Sequence, residues 1–156
     1  MSSLFGRTAM LLSGLILVLP GMLIAASAAA PFAGSWVLNA AKSEGDSKLT
    51  ELTIHLSPDG QVKFDSVLHK GDADVKAEFE CTTNGKDCEW DQSGHKSKVS
   101  MWFNGPALVV MKSDGPAEDS ASQWKLEAAA DGKTLTLTLS HILPDGKDET
   151  LVFDKK

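Results

Sequence analysis

An all-β fold, a single up-and-down antiparallel barrel of about eight to ten strands behind an N-terminal signal peptide, is what this sequence predicts, and three observations carry the prediction. Apolar and polar residues alternate with period two in short runs along residues 34–154, the pattern of strands with one buried face. The runs are separated by turn chemistry such as Pro58-Asp59-Gly60, Asn84-Gly85, Asn104-Gly105-Pro106 and Pro144-Asp145-Gly146. Residues 1–30 have the layout of a secretory signal, so what remains is short enough for one domain with one core.

The signal reads in three parts: a short start carrying Arg7, an apolar run from Ala9 to Ile24, and a small-residue exit. Ala26-Ser27-Ala28 fits the A-x-A rule, which sets the boundaries at 1–28 for the signal and 29–156 for the barrel; cleavage after Ala30 is the second option and would leave Pro31 first. An uncleaved anchor helix is the rival reading, and the only way this chain would touch a membrane, but Ser13, Gly14, Pro20 and Gly21 suit a signal better. Export implies a periplasmic or secreted protein. Losing residues 1–28 removes the only arginine and no acidic residue, so the remainder is more acidic than the whole chain's −6. With Lys dispersed among Asp and Glu, there is no basic patch for nucleic acid.

Strands are expected at 34–39, 49–56, 62–69, 74–83, 87–91, 98–103, 107–112, 122–128, 134–142 and 150–154. One face of each is apolar, as in Leu52, Ile54 and Leu56, or Val99, Met101 and Phe103, or Leu135, Leu137 and Leu139. Consecutive antiparallel strands of this kind bury that face by curling into a closed meander, which also removes exposed edges. A two-sheet sandwich shows similar alternation and is the alternative fold.

Cys81 and Cys88 are the only cysteines, and they flank an Asn-Gly pair. If Asn84 and Gly85 are the centre of a type I′ turn, Thr83 faces Lys86, Thr82 faces Asp87 and Cys81 faces Cys88. Facing Cα atoms about 4.5 to 5.5 Å apart suit a disulfide, and an exported protein meets an oxidising compartment. A redox or metal pair has no C-x-x-C and no neighbouring His to support it.

The segment Phe32-Ala33-Gly34-Ser35-Trp36 resembles the F-x-G-x-W opening of lipocalins, and its extension through Val37-Leu38-Asn39-Ala40-Ala41-Lys42-Ser43 resembles the start of small exported bacterial lipocalin-like proteins. The looser likeness runs through P-D-G hairpins to a last strand, Leu151-Val152-Phe153-Asp154-Lys155. The resemblance implies structural roles for Phe32, Gly34 and Trp36, with Trp36 plugging the closed end, and sets Lys155 over Trp36 as the cation where many lipocalins have Arg.

No catalytic constellation appears. His55, His69, His95 and His141 lie on different segments without metal-motif spacing, alternate with apolar neighbours and are expected to face solvent. There is no G-x-S-x-G, no EF-hand spacing in the acidic loops, and Glu51, Glu78 and Glu80 read as surface charges. The sequence therefore calls for no cofactor, no metal and no catalysis. Trp90, Trp102 and Trp124, with Met101 and Met111, either fill a narrow barrel or line a wider one. The leading function is a non-catalytic extracytoplasmic protein that holds a small apolar molecule, with Met101, Phe103, Trp124 and Leu137 as the ligand-binding candidates. The alternative is a periplasmic protein-binding module or enzyme inhibitor; an enzyme comes third. Ligand identity and oligomeric state are not encoded legibly.

Overall fold

The computed structural model describes residues 30–57, 60–70, 72–92, 95–114 and 120–156. The expected signal segment 1–28 lies outside them, as do Pro58 and Asp59 of the expected Pro58-Asp59-Gly60 turn. Among the described residues no helix is long and apolar enough to cross a membrane.

After a 3-10 turn at Ala30–Phe32 come β1 (Gly34–Leu38), a second 3-10 turn at Ala40–Lys42, β2 (Leu49–Leu56), β3 (Gln61–Lys70), β4 (Ala73–Thr82), β5 (Asn84–Gln92), β6 (His95–Asn104), β7 (Ala107–Asp114), β8 (Ser120–Ala128), β9 (Thr134–Leu143) and β10 (Glu149–Lys155). All ten belong to one antiparallel sheet in the order β4-β3-β2-β1-β10-β9-β8-β7-β6-β5. Pairing of β10 with β1 joins the last strand to the first, through Trp36 opposite Lys155 and Leu38 opposite Phe153. One curled sheet replaces the two of a sandwich, and the result is a nearly closed barrel.

The inner alternation builds the core. Leu52, Ile54, Phe64, Met101, Leu108, Leu126, Leu135 and Phe153 are fully buried within it. On β9 the period-two pattern is direct: Leu135 and Leu137 are buried, while Thr134, Thr136 and Thr138 between them are more exposed.

One end of the barrel is sealed by the segment before β1. Trp36 has no exposed surface, and its Nε1–H donates to the Phe32 carbonyl at 3.0 Å. Phe32 is buried in turn and tilts against Phe103 with ring centroids 6.1 Å apart. Lys155 Nζ sits 5.1 Å from the Trp36 ring centroid, the cation–π contact that the resemblance implied. Gly34 makes this arrangement possible. Its φ of +129° disfavours any side chain, and a Cβ there would stand 2.9 Å from Lys155 Cε.

The strap between β1 and β2 is tied to β10 by its own polar residues. Asn39 Nδ2 donates to Asp154 at 2.6 Å, Ser43 Oγ donates to the Asn39 carbonyl at 2.8 Å, and the Val152 amide donates to Ser43 Oγ at 2.9 Å. Asn39 and Ser43 thus pin the strap to β10.

The sheet fails to close at one place, and there the structure corrects the sequence reading. Cys81 and Cys88 form the expected disulfide, with Cα atoms 5.7 Å apart. The hydrogen-bonded hairpin around Asn84-Gly85 does not form: among the described residues β4 ladders only with β3, and β5 only with β6. Asn84 Oδ1 instead accepts from the Lys86 amide at 2.9 Å, an Asx turn that draws Asn84 into the start of β5, opposite Trp102. The seam is filled by side chains. Phe79 of β4 meets Trp90 of β5 with ring centroids 5.0 Å apart, and the disulfide stitches the strands beside them.

Candidate functional site

Away from the sealed end the strands enclose a cavity of about 490 Å³. Its apolar wall comes from Leu49 and Leu68 on β2 and β3, Trp90 on β5, Trp124 on β8, Leu137 and Leu139 on β9, and Leu151 on β10. The strand period turns most of them inward, a bulge between Leu49 and Glu51 does so for Leu49, and the curl of the sheet brings them onto one surface. Trp90 and Trp124 belong to an aromatic group with Phe64 and Phe79, in which Phe64 and Phe79 stack at 4.9 Å and Phe79 meets Trp124 edge-on at 6.2 Å. That packing fixes both indoles. Toward the mouth the same inward positions turn polar: Ser66, Lys112, Ser120, Ser122 and His141 line the cavity, with Leu143 at the end of β9 and Pro144 and Asp145 of the β9–β10 connection beside it.

The charges here are tied to one another. Lys112 Nζ lies 2.8 Å from Asp114 Oδ2, Ser97 Oγ donates a short hydrogen bond to Asp114 Oδ1, and His95 Nε2 stands 3.7 Å from the same carboxylate. Lys112 also lies over the Trp90 ring, 5.1 Å from its centroid. At the opposite rim His141 Nε2 is 3.3 Å from Glu149 Oε1, and Glu149 Oε2 accepts from the Ser47 amide at 2.6 Å. Ser66 Oγ donates to the Ala77 carbonyl at 3.1 Å. One donor is left over. Among the described residues Trp90 Nε1, shielded from solvent, has no hydrogen-bond partner.

Burial pushes the Asp114 carboxyl up, but the hydrogen bonds from Lys112 and Ser97 and the charges of Lys112 and His95 outweigh it and hold the group below the ordinary carboxyl value. A carboxyl with a depressed folded-state pKa contributes stability that is present above its unfolded value of 3.8 and is lost as pH falls through the folded value. The difference in melting temperature between the unaltered protein and Asp114→Asn is therefore expected to be flat above about pH 5 and to shrink below about pH 4. Thermal melts across that range check it; a difference that grows in acid would contradict the assignment.

Of the residues singled out from sequence, Trp124 and Leu137 line the cavity. Met101 is fully buried in the packed core, and Phe103 packs toward Phe32 at the sealed end. Trp102 and Met111 fall on the outward alternation of β6 and β7, whereas Trp90 lies inward. The histidines divide. His55, His69 and His95 are exposed, as expected, the first two pairing with Asp65 and Asp74 and the third standing 3.7 Å from Asp114, but His141 lines the cavity. Lys112 and Asp114 were not singled out from sequence, although a signal existed: they continue the inward phase of Leu108 and Val110 as charged residues. Among the described residues no group of three or more His, Cys, Asp or Glu is arranged to hold a metal ion.

No family model and no curated protein sequence matches the chain. Solved structures do. Fatty-acid-binding protein 1 of Echinococcus granulosus superposes with a TM-score of 0.61 at 12% identity, covering 81% of this chain and 98% of that one. A Schistosoma mansoni fatty-acid-binding protein in complex with arachidonic acid gives 0.60 at 13% identity, covering 83% and 98%. A secretory abundant heat soluble protein of Ramazzottius varieornatus gives 0.62 at 12% identity, covering 81% and 96%. The likeness is one of fold. This chain is built as the same kind of lipocalin-like β-barrel as those proteins.

Proposed function

We propose that this chain is an exported, non-catalytic carrier of a small hydrophobic molecule, which lies in the cavity against Trp90, Trp124, Leu137 and Leu139. The observation that carries the reading is the cavity itself, about 490 Å³ with an apolar wall and a polar mouth, the proportions of a small-molecule site. The fold likeness supports it, since two of the solved structures are named fatty-acid-binding proteins and one contains arachidonic acid. Export is supported by the signal-like residues 1–28 and by a disulfide suited to an oxidising compartment.

An apolar fluorescent probe is expected to bind with about micromolar affinity and to quench tryptophan emission, because two of the chain's indoles line the cavity. Leu139→Trp should fill the space and weaken the probe about tenfold while the protein stays folded, since Leu139 is only partly buried. No probe binding to the unaltered folded protein overturns the carrier reading in favour of a protein-binding module.

A further inference from the structure

We infer that the polar end of the bound molecule is a neutral hydrogen-bond acceptor, a ketone or ester carbonyl received by Trp90 Nε1, and not a carboxylate received by Lys112. The inference rests on the carrier reading above and narrows its ligand class. Trp90 lines the cavity, is 8% exposed, and its indole N–H is the donor left without a partner. An unmatched buried donor is costly, and an indole N–H can only donate, so the group that relieves it must accept. Lys112 is the flexible side chain set over that ring, its Nζ 5.1 Å from the centroid, and it must shift far enough for an acceptor to reach Nε1.

The charges exclude the anion. Among the described residues that line the cavity Lys112 is the one Lys or Arg, and Asp114 already holds it at 2.8 Å. A carboxylate must share Lys112 with Asp114, setting two negative charges on one ammonium, or take it outright and strand a carboxylate whose side chain is only 20% exposed, or enter unpaired near Asp145 and Glu149. Each route leaves a poorly solvated charge beside a like charge or without a partner, whereas a carbonyl asks only for the waiting N–H.

The test compares a methyl ketone, an n-alkane and an n-alkanoic acid of one chain length at pH 7.5, by displacement of the fluorescent probe and by the indole ¹⁵N–¹H resonances. The ketone is expected to bind about tenfold more tightly than either the alkane or the acid. Trp90→Phe should bring the ketone down to the alkane while leaving the alkane within about twofold. Asp114→Asn, which frees Lys112, should raise acid affinity about tenfold and raise ketone affinity by no more than about twofold. An acid that binds the unaltered protein as tightly as the ketone overturns the inference and leaves the carrier reading standing. So does a ketone that binds without moving the Trp90 resonance, a readout that does not depend on Trp90→Phe folding. If alkane, ketone and acid all fail to bind, both readings fall.

Discussion

Replacing Trp36 by Ala is expected to lower the unfolding free energy by about 3 to 5 kcal/mol, the range for removing a buried large aromatic, against about 5 to 15 kcal/mol for a typical domain. The ring has no exposed surface, so nothing from solvent replaces its contacts. Its loss also leaves the Phe32 carbonyl without the indole donor and Lys155 without the ring beneath it. Phe32 and Phe103 would lose the wall they pack toward, which opens the sealed end while leaving the cavity at the far end intact. Chemical denaturation of the two proteins measures the effect. Trp36→Phe separates its parts: it keeps most of the apolar volume, forfeits the hydrogen bond, and is expected to cost about 1 to 2 kcal/mol. A loss below about 1 kcal/mol for Trp36→Ala would mean that the plug contributes little and that the sealed end is held by the β1–β10 ladder alone.

Where the alternation was clean, the fold could be read directly. Leu135, Leu137 and Leu139 separated by threonines specify a strand and its inner face without help from the rest of the chain. The segment 49–56 matches β2 at both ends for the same reason. The Asn84-Gly85 turn was misleading because a strong local hairpin signal says nothing about where a ten-stranded sheet, closed by β10 on β1, must leave its free edges. The seam fell at that hairpin, and side-chain packing took over from the ladder. The site was less legible still. Met101 and Leu137 share the same inward phase, yet one fills the core and the other lines the cavity, because the difference lies in the plug at one end of the barrel. No local pattern encodes that. Lys112 was readable within the expected strand 107–112, as a charge standing where the alternation calls for an apolar residue, whereas Asp114 becomes readable only when the strand is extended to it.

Removing the disulfide, by reduction or by Cys81→Ser with Cys88→Ser, is expected to cost about 2.5 kcal/mol, since a loop with a sequence separation of 7 loses little chain entropy on closure. The barrel should stay folded. β4 remains fully laddered to β3 from Gln61 opposite Thr82 to Lys70 opposite Ala73, and β5 remains paired to β6, so each strand keeps its neighbour on the far side of the seam. What goes is the covalent link between two edges that share no ladder, leaving Phe79 against Trp90 to hold them together. Trp90 forms part of the cavity wall, so the loosened seam should reach the ligand: a bound apolar probe is expected to dissociate several-fold faster from the reduced protein, with a smaller change in its association rate. Stopped-flow displacement and denaturation on the same samples test both halves, with mass analysis confirming the gain of two hydrogens. Unchanged stability and unchanged dissociation would show that the aromatic contact closes the seam unaided; global unfolding would show that the ladders on either side cannot hold the sheet in its curl without the covalent stitch.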